Sequence, residues 1–319
     1  MKGVFMRKLQ KTQLLISCAT ILCCAVITVL NPVKAEASET AFTNLNGAVL
    51  SQEQYSRLLK YFDTDTINTM SKSLLDSVKN DNSLKAAADQ ERYIRQDIIY
   101  DKSGNVISET ETDISAEDAY CMRTPAVRRS SSASYSTSVK KIHLRVVGAS
   151  SCMIITMTNT WITMPSTKSY DVIAVRPVIK SVPGSIINHI DQSSLSGYQK
   201  YNNGQMVTYS GKSDNVKISN ILTGAYGGVG ISMNIPDSAN SSLSSSMTVK
   251  LLTGADNITV YGTYQHAKSS VSLSDSKSYS FDPSGLGGVV KFNSSSISNK
   301  YDGMSGVHLT YKYGDEVYD

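Results

Sequence analysis

Cys152, His143 and Asp171 are the residues whose types could together do covalent chemistry: a thiolate nucleophile, an imidazole base and a carboxylate to orient it. Their spacing suits neighbouring strands. Cys152 lies in an apolar run, however, and a reactive thiolate needs exposed, electropositive surroundings. A buried or disulfide-bonded thiol is the competing expectation. A second constellation is Trp161, Tyr170, Asp171 and Arg176. Asp171 and Arg176 would form either a structural ion pair or, with Trp161 and Tyr170, the edge of a sugar-binding platform. The competing reading places Trp161 in a sandwich core.

Other chemistries lack their sequence signatures. The four histidines, His143, His189, His266 and His308, include no pair at the spacing of a helical zinc motif, and no His-Glu-x-x-His occurs. There is no Cys-x-x-Cys. The run Gly148-Ala149-Ser150-Ser151-Cys152 breaks a nucleophile-elbow pattern at its last position. No phosphate-cradling glycine-rich loop with Lys-Ser/Thr is present. The expectation is therefore no catalytic residue, no metal and no cofactor, and a chain that leans away from being an enzyme.

The N-terminus reads as an address. Met1 to Gln13 carries Lys2, Arg7, Lys8 and Lys11 without an acid, an apolar run follows to Leu30, and Asn31-Pro32-Val33-Lys34-Ala35 closes it. This layout predicts a secretory signal over 1–35 cleaved after Ala35, with a second cut offered at Ala37. The run is shorter than the roughly 20 residues a membrane helix needs. Leu15-Ile16-Ser17-Cys18 resembles a lipobox but precedes most of the apolar run.

Removing that signal changes the charge. The whole chain has 31 Lys+Arg and 27 Asp+Glu. The signal takes five bases and no acid, which leaves 31 − 5 = 26 against 27, a net of −1. The basic footprint a nucleic-acid binder requires is then gone, so no nucleic-acid partner is expected. Of the five cysteines only Cys121 and Cys152 survive cleavage. In an oxidising compartment they are candidates for a disulfide. Closing that loop would stabilise by roughly 3–4 kcal/mol in the chain-entropy model; two separate buried thiols are the alternative.

The elements that would position these residues form an α+β chain, mostly β. After a flexible leader over 36–50, Tyr55, Leu58, Leu59 and Phe62 recur on one helical face behind Ser51. Ile67, Met70, Leu74 and Leu75 do so again behind Asp63 or Asp65. These predict a helical hairpin within 51–80. From residue 90 onward the chain reads as β-rich to 319, with a hairpin over 90–120 and an antiparallel sandwich over 138–319 as its two parts. Strands are expected at 93–100 and 106–112 around Asp101-Lys102-Ser103-Gly104-Asn105, where Gly104 suits a positive φ. Ser115 and Asp118 stand at capping-box spacing for one helical turn. The Ser-rich stretch 121–137, with Arg123, Arg128 and Arg129, reads as an exposed loop whose cations are either simply solvated, the commoner case, or face an anionic wall polymer. Ile142, Leu144 and Val146 alternate with Lys141, His143 and Arg145, a half-buried strand. Further strands are expected at 152–161, 170–176, 205–210, 216–222, 229–235, 247–252, 258–265, 289–292 and 307–313, spaced as in a β-sandwich.

Two motifs carry a resemblance. Leu50-Ser51-Gln52-Glu53-Gln54-Tyr55-Ser56-Arg57-Leu58-Leu59 followed by Ile67-Asn68-Thr69-Met70 resembles a helical segment near the start of many exported proteins of Gram-positive bacteria. Trp161-Ile162-Thr163-Met164-Pro165-Ser166 with Tyr170-Asp171-Val172-Ile173-Ala174-Val175 is similar to a signature in a set of the same proteins. The resemblance spans about the first half of the chain beyond the signal. It implies an origin and an extracellular location and carries no catalytic residue over.

Three functional readings follow. The first is a non-enzymatic secreted or surface-associated protein that binds a wall polymer or a surface protein. The second is a membrane-active or pore-forming β protein, because Val229, Ile231, Met233 and Ile235 alternate with Gly230, Ser232 and Asn234 as a barrel strand does. Membrane contact is expected only there. The third is a hydrolase of wall polymers or peptides built on dispersed acids.

Overall fold

The computed structural model describes residues 41–312 apart from 86, 123–126, 130–132, 151, 180–188, 220–226, 240, 253–256, 282–288 and 304–305. The expected export signal with its cut at Ala35, Arg123, and the side chains of Arg128 and Arg129 lie outside the described residues.

Residues 41–50, expected within a flexible leader, are paired. β1 (Phe42–Thr43) and β2 (Val49–Leu50) form a small antiparallel ribbon. The Asn44 amide donates to the carbonyls of Ile67 and Met70 at 3.2 and 2.9 Å, and Ala48 and Leu50 are buried.

The predicted helical hairpin is not what forms. α1 (Gln52–Leu58) starts at a capping box in which Ser51 Oγ accepts from Gln54 N and Gln54 Oε1 accepts from Ser51 N. The expected second helix is two: α2 (Thr64–Thr69) behind Asp63 and α3 (Lys72–Val78) behind Ser71. The break has a local cause. Ser71 Oγ accepts from Leu74 N at 3.2 Å, which offers the backbone a fresh start. The amides of Asn44 and Asn46 meanwhile capture the Met70 carbonyl. Most of the stripe read from the sequence still turns inward: Leu58, Phe62, Ile67, Met70, Leu74 and Leu75 are buried, each worth about 1.5–3 kcal/mol over exposure, whereas Tyr55 is half-buried and Leu59 is exposed.

Beyond the helices the chain is strand after antiparallel strand. β3 (Ala88–Asp101) and β4 (Val106–Ile114) make the expected hairpin, with Gly104 at φ 83°. α4 (Ala116–Cys121) follows its Ser115 cap. The stretch expected as a loop over 121–137 contains β5 (Val127–Arg129) and the start of β6 (Ala133–Ala149). Pairing overrides its Ser-rich composition, because β6 runs in register with β3 from Ala133↔Asp101 onward. Then come β7 (Cys152–Thr163), β8 (Tyr170–Ile179), β9 (His189–Tyr201), β10 (Met206–Ser210), β11 (Val216–Ser219), β12 (Gly228–Asn234), β13 (Leu243–Leu252) and β14 (Asn257–Gln265). A short α5 (Leu273–Ser276), β15 (Tyr279–Phe281), β16 (Val290–Phe292), α6 (Ser295–Ser298) and β17 (Gly306–Lys312) complete the described chain.

The strands stack as a sandwich. The larger sheet runs β10-β9-β13-β7-β6-β3-β4, with β5 also on β6, and the smaller runs β11-β12-β8-β14-β17. Between them lies the main core, with Leu144, Ile155 and Val249 from one sheet against Ile173, Ile231 and Val260 from the other. Each sheet is also covered from behind over part of its area. Val147, Ala149, Cys152 and Ile154 on the back of the larger sheet pack under α1–α3, and Val172 and Ala174 on the back of the smaller pack under the β15–β16 ribbon. Strands covered on both faces read as continuous apolar runs, as in Cys152-Met153-Ile154-Ile155.

The alternation of β12 has a packing origin. Val229, Ile231 and Met233 enter the main core. The small residues opposite them make room for the ribbon: a Cβ on Gly230 would lie 2.4 Å from the Tyr279 hydroxyl, and one on Gly228 would meet the Phe281 ring. β12 is thus an inner strand whose residues Gly228 to Met233 are covered on both faces, with Asn234 exposed at its end.

Candidate functional site

At one end of the sandwich, groups that could do acid–base chemistry converge in the interior. Asp171 opens β8 on the inward face. Tyr264 from β14 donates its hydroxyl to Asp171 Oδ2 at 2.7 Å, and Trp161 from β7 donates its indole N–H to the Tyr264 oxygen at 3.3 Å. The Ala267 N–H donates to Asp171 Oδ1 at 2.9 Å, and His266 Nδ1 stands 3.0 Å from the same oxygen. That contact assigns the proton to Nδ1, since a carboxylate only accepts. His266 Nε2 is buried with no hydrogen-bond partner, its ring edge-on to Trp161 at 5.1 Å.

The network continues through Asp302, just ahead of β17. Asp302 Oδ1 accepts from the His266 backbone N–H at 2.9 Å. Its Oδ2 faces Lys140 Nζ at 2.5 Å and Gln96 Nε2 at 3.3 Å. Lys140 also reaches Glu111 Oε1 at 3.3 Å, and Gln96 reaches Glu109 Oε1 at 3.0 Å. Burial pushes the Asp302 carboxyl up to about 7 against the pull of Lys140. Burial would lower Lys140, but the carboxyls of Asp302 and Glu111 outweigh it and hold the ammonium above its ordinary value. Burial, and then the charge of Asp171, push the Tyr264 phenol well up.

In an open cleft, an Asp–His–Tyr cluster would be a candidate for proton transfer to a substrate. Here Trp161, Asp171, Tyr264 and His266 are wholly buried, so no substrate reaches them. The network joins the sheets, with Gln96, Glu109, Glu111, Lys140 and Trp161 from the larger and Asp171 and Tyr264 from the smaller.

The constellations expected from the sequence are not assembled as expected. In the platform of Trp161, Tyr170, Asp171 and Arg176, three members are buried. Asp171 and Arg176 project from opposite faces of β8, because their separation along the strand is odd. Arg176 lies over the Tyr261 ring at 5.0 Å, and the half-buried Tyr170 lends its carbonyl to the Tyr301 hydroxyl. Nor do Cys152, His143 and Asp171 meet. His143 pairs in register with Thr158, six residues along β7 from Cys152, which is about 20 Å of strand. Its Nε2 contacts Asp89 at 2.7 Å, Asp171 lies inside the sandwich, and burial pushes the Cys152 thiol up.

Cys121 and Cys152 are both free thiols rather than a disulfide. Cys152 opens the 12-residue β7, while the carbonyl of Met122, beside Cys121, accepts from Thr163 at its other end. About 36 Å of strand separates two residues whose Cα atoms would have to approach within about 7 Å.

Sequence reasoning passed over Lys140, Asp302, Glu111, Tyr264 and His266. One signal was available. The alternation that points Ile142, Leu144 and Val146 inward also points Lys140 inward, and a lysine on a dry face demands a partner.

The open polar surface lies on the back of the larger sheet, between the α1–α3 cover and α4. Asp89 and Glu91 of β3, Lys141, His143 and Arg145 of β6, Thr158 and Thr160 of β7 and Ser244 of β13 stand side by side in register. Hydroxyl pairs cross the strands at 3.1 Å, Thr160–Ser244 with both residues half-exposed, Thr158–Ser246 with Ser246 buried, and Thr156–Thr248 with both buried. The charges pair as Lys141–Glu91 and Arg145–Asp89, and His143 Nε2 stands 2.7 Å from Asp89 Oδ1. Tyr93 and Tyr120 form an aromatic rim with ring centroids 6.1 Å apart. Among the described residues no group of acids, histidines and cysteines is arranged to hold a metal ion, and no helix is long and apolar enough to cross a membrane.

No family model and no curated protein matches the chain. Solved structures similar to it include the collagen-binding domain from a Staphylococcus aureus adhesin, at 11% identity over 51% of this chain and 88% of that one, with a TM-score of 0.27. AvmM, which catalyses macrocyclization in alchivemycin A biosynthesis, matches at 8% identity over 52% and 84%, with a TM-score of 0.28. The KRT10-binding region domain of the pneumococcal serine-rich repeat protein PsrP matches at 15% identity over 56% and 87%, with a TM-score of 0.26.

Proposed function

We propose that this chain is an exported, surface-acting protein that binds rather than catalyses, and that it binds through the back of its larger sheet. The observation that carries the reading is the division of its polar side chains. The titratable cluster is sealed inside, whereas the paired charges of β3 and β6 and the half-exposed Thr158, Thr160 and Ser244 of β7 and β13 lie open between two covers. Such a surface suits an extended partner rich in hydroxyl and amide groups, a wall polymer or the backbone of a surface protein. Its fixed ion pairs hold donors and acceptors in place before contact, which lowers the ordering cost of binding.

The test is retention of the purified chain on isolated Gram-positive cell walls and on immobilised extracellular-matrix protein. Thr158→Arg with Ser244→Arg should abolish retention while the unfolding midpoint is kept. Lys212→Ala, in the turn after β10, should not alter it. Equal retention of the double variant would sink the surface assignment. The export part of the reading rests on the first 35 residues and is tested by sequencing the N-terminus of the secreted form.

A further inference from the structure

We propose that Lys140 and Asp302 are joined by an intramolecular amide bond that forms as the protein folds, with Glu111 carrying the proton. Residues 162 positions apart meet with Nζ and Oδ2 at 2.5 Å, in direct contact. Both side chains are 0% exposed, so water that would reverse a condensation is excluded. Glu111 Oε1 stands 3.3 Å from the same nitrogen on a side chain that is 19% exposed, within reach of solvent for proton release. Asp302 is held for attack by the His266 N–H on Oδ1 at 2.9 Å and by Gln96 on Oδ2, donors that stabilise charge developing on the carboxyl oxygens. The Trp161 ring, 5.7 Å from Nζ, walls the other side.

The chemistry balances without any co-reactant. The Lys140 ammonium gives one proton to the Glu111 carboxylate. The free amine attacks the Asp302 carboxylic carbon, so an N–C bond forms. The C–OH bond then breaks, and a second proton from nitrogen leaves with the hydroxyl as water, relayed by Glu111. Lys140 and Asp302 end as a neutral amide, and Glu111 ends protonated and passes that proton to solvent. Folding supplies the driving proximity, since holding the two groups in contact replaces an encounter between distant parts of a flexible chain. Reaction also relieves the interior of an ammonium facing two carboxyls, an arrangement whose desolvation is costly. The bond would tie β6 of the larger sheet to the segment entering β17 of the smaller, and it stands independently of the binding reading.

The test is the intact mass of the purified full chain, compared with the mass its sequenced N-terminus requires, followed by peptide mapping. The expected result is a chain lighter by one water, with a branched peptide joining the segments that contain Lys140 and Asp302. Asp302→Ala should restore the full mass. The near-isosteric Glu111→Gln, which keeps the volume but not the proton acceptor, should fold and show the full mass as well. A natively folded wild-type chain at full mass, with no branched peptide, overturns the proposal.

Discussion

Trp161 on the larger sheet donates its indole N–H to the hydroxyl of Tyr264 on the smaller, 3.3 Å away, and that hydroxyl donates a hydrogen bond to Asp171 at 2.7 Å. One phenol oxygen therefore satisfies a donor from one sheet and a carboxylate from the other. Tyr264→Phe keeps the ring but strands both partners in the dry interior. Leaving buried polar groups unmatched costs about 1–3 kcal/mol each, so the urea midpoint should drop clearly. An unchanged midpoint would show that the chain Trp161–Tyr264–Asp171 contributes nothing to holding the sheets together.

The open face should set part of the acid limit of stability. Burial alone would raise the Asp89 carboxyl, but hydrogen bonds from His143 and then Arg145 outweigh it and hold it well below the ordinary 3.8. A carboxyl depressed in the fold contributes stability that is present above its unfolded value and is lost as pH falls toward the folded one. Unfolding free energy measured from pH 6 downward should therefore fall less steeply below about pH 4 in Asp89→Asn than in the parent chain. Parallel curves would contradict the assignment.

Gly230 marks the closest approach of β12 to the β15–β16 ribbon. Gly230→Ala places a methyl 2.4 Å from the Tyr279 oxygen, inside a cluster that also holds Phe281 and Phe292. Overpacking of this kind costs about 1–3 kcal/mol. Amide exchange should quicken first in residues 279–281 and 290–292; faster exchange confined to the larger sheet would argue against the contact.

The cysteines give a rapid check on the interior. In the folded chain a maleimide should label the exposed Cys121 and spare the buried Cys152, with both labelled after denaturation. Protection of both until a reductant is added would restore the disulfide that the structure replaces with two thiols.

Ser71 separates two helices that the apolar spacing alone would merge. Ser71→Ala removes the acceptor for Leu74 N–H, a loss of about 1 kcal/mol for a cap of this type. A lower thermal midpoint is expected. A raised midpoint with more helix by circular dichroism would mean that the break is imposed by the neighbouring asparagines instead.

What the residue order alone decided is local. Period-two alternation located most strands, because side chains of a strand alternate faces whatever the partner is. Gly104 and Gly204 take positive φ in the hairpin turns, where only glycine does so without strain, and Ser51 and Ser115 cap helices through contacts three residues away. Tertiary structure decided everything that depends on what a face meets. β9 carries Asp, Gln and Ser where a core strand is usually apolar, and it lies inside the sheet because β10 and β13 pair its two edges. Lys140 shows its inward direction in the pattern around it, but its partner is 162 positions away. The order of the strands, and with it the meeting of Trp161, Asp171, His266 and Asp302, is set by backbone pairing and burial between distant segments, which no local spacing encodes.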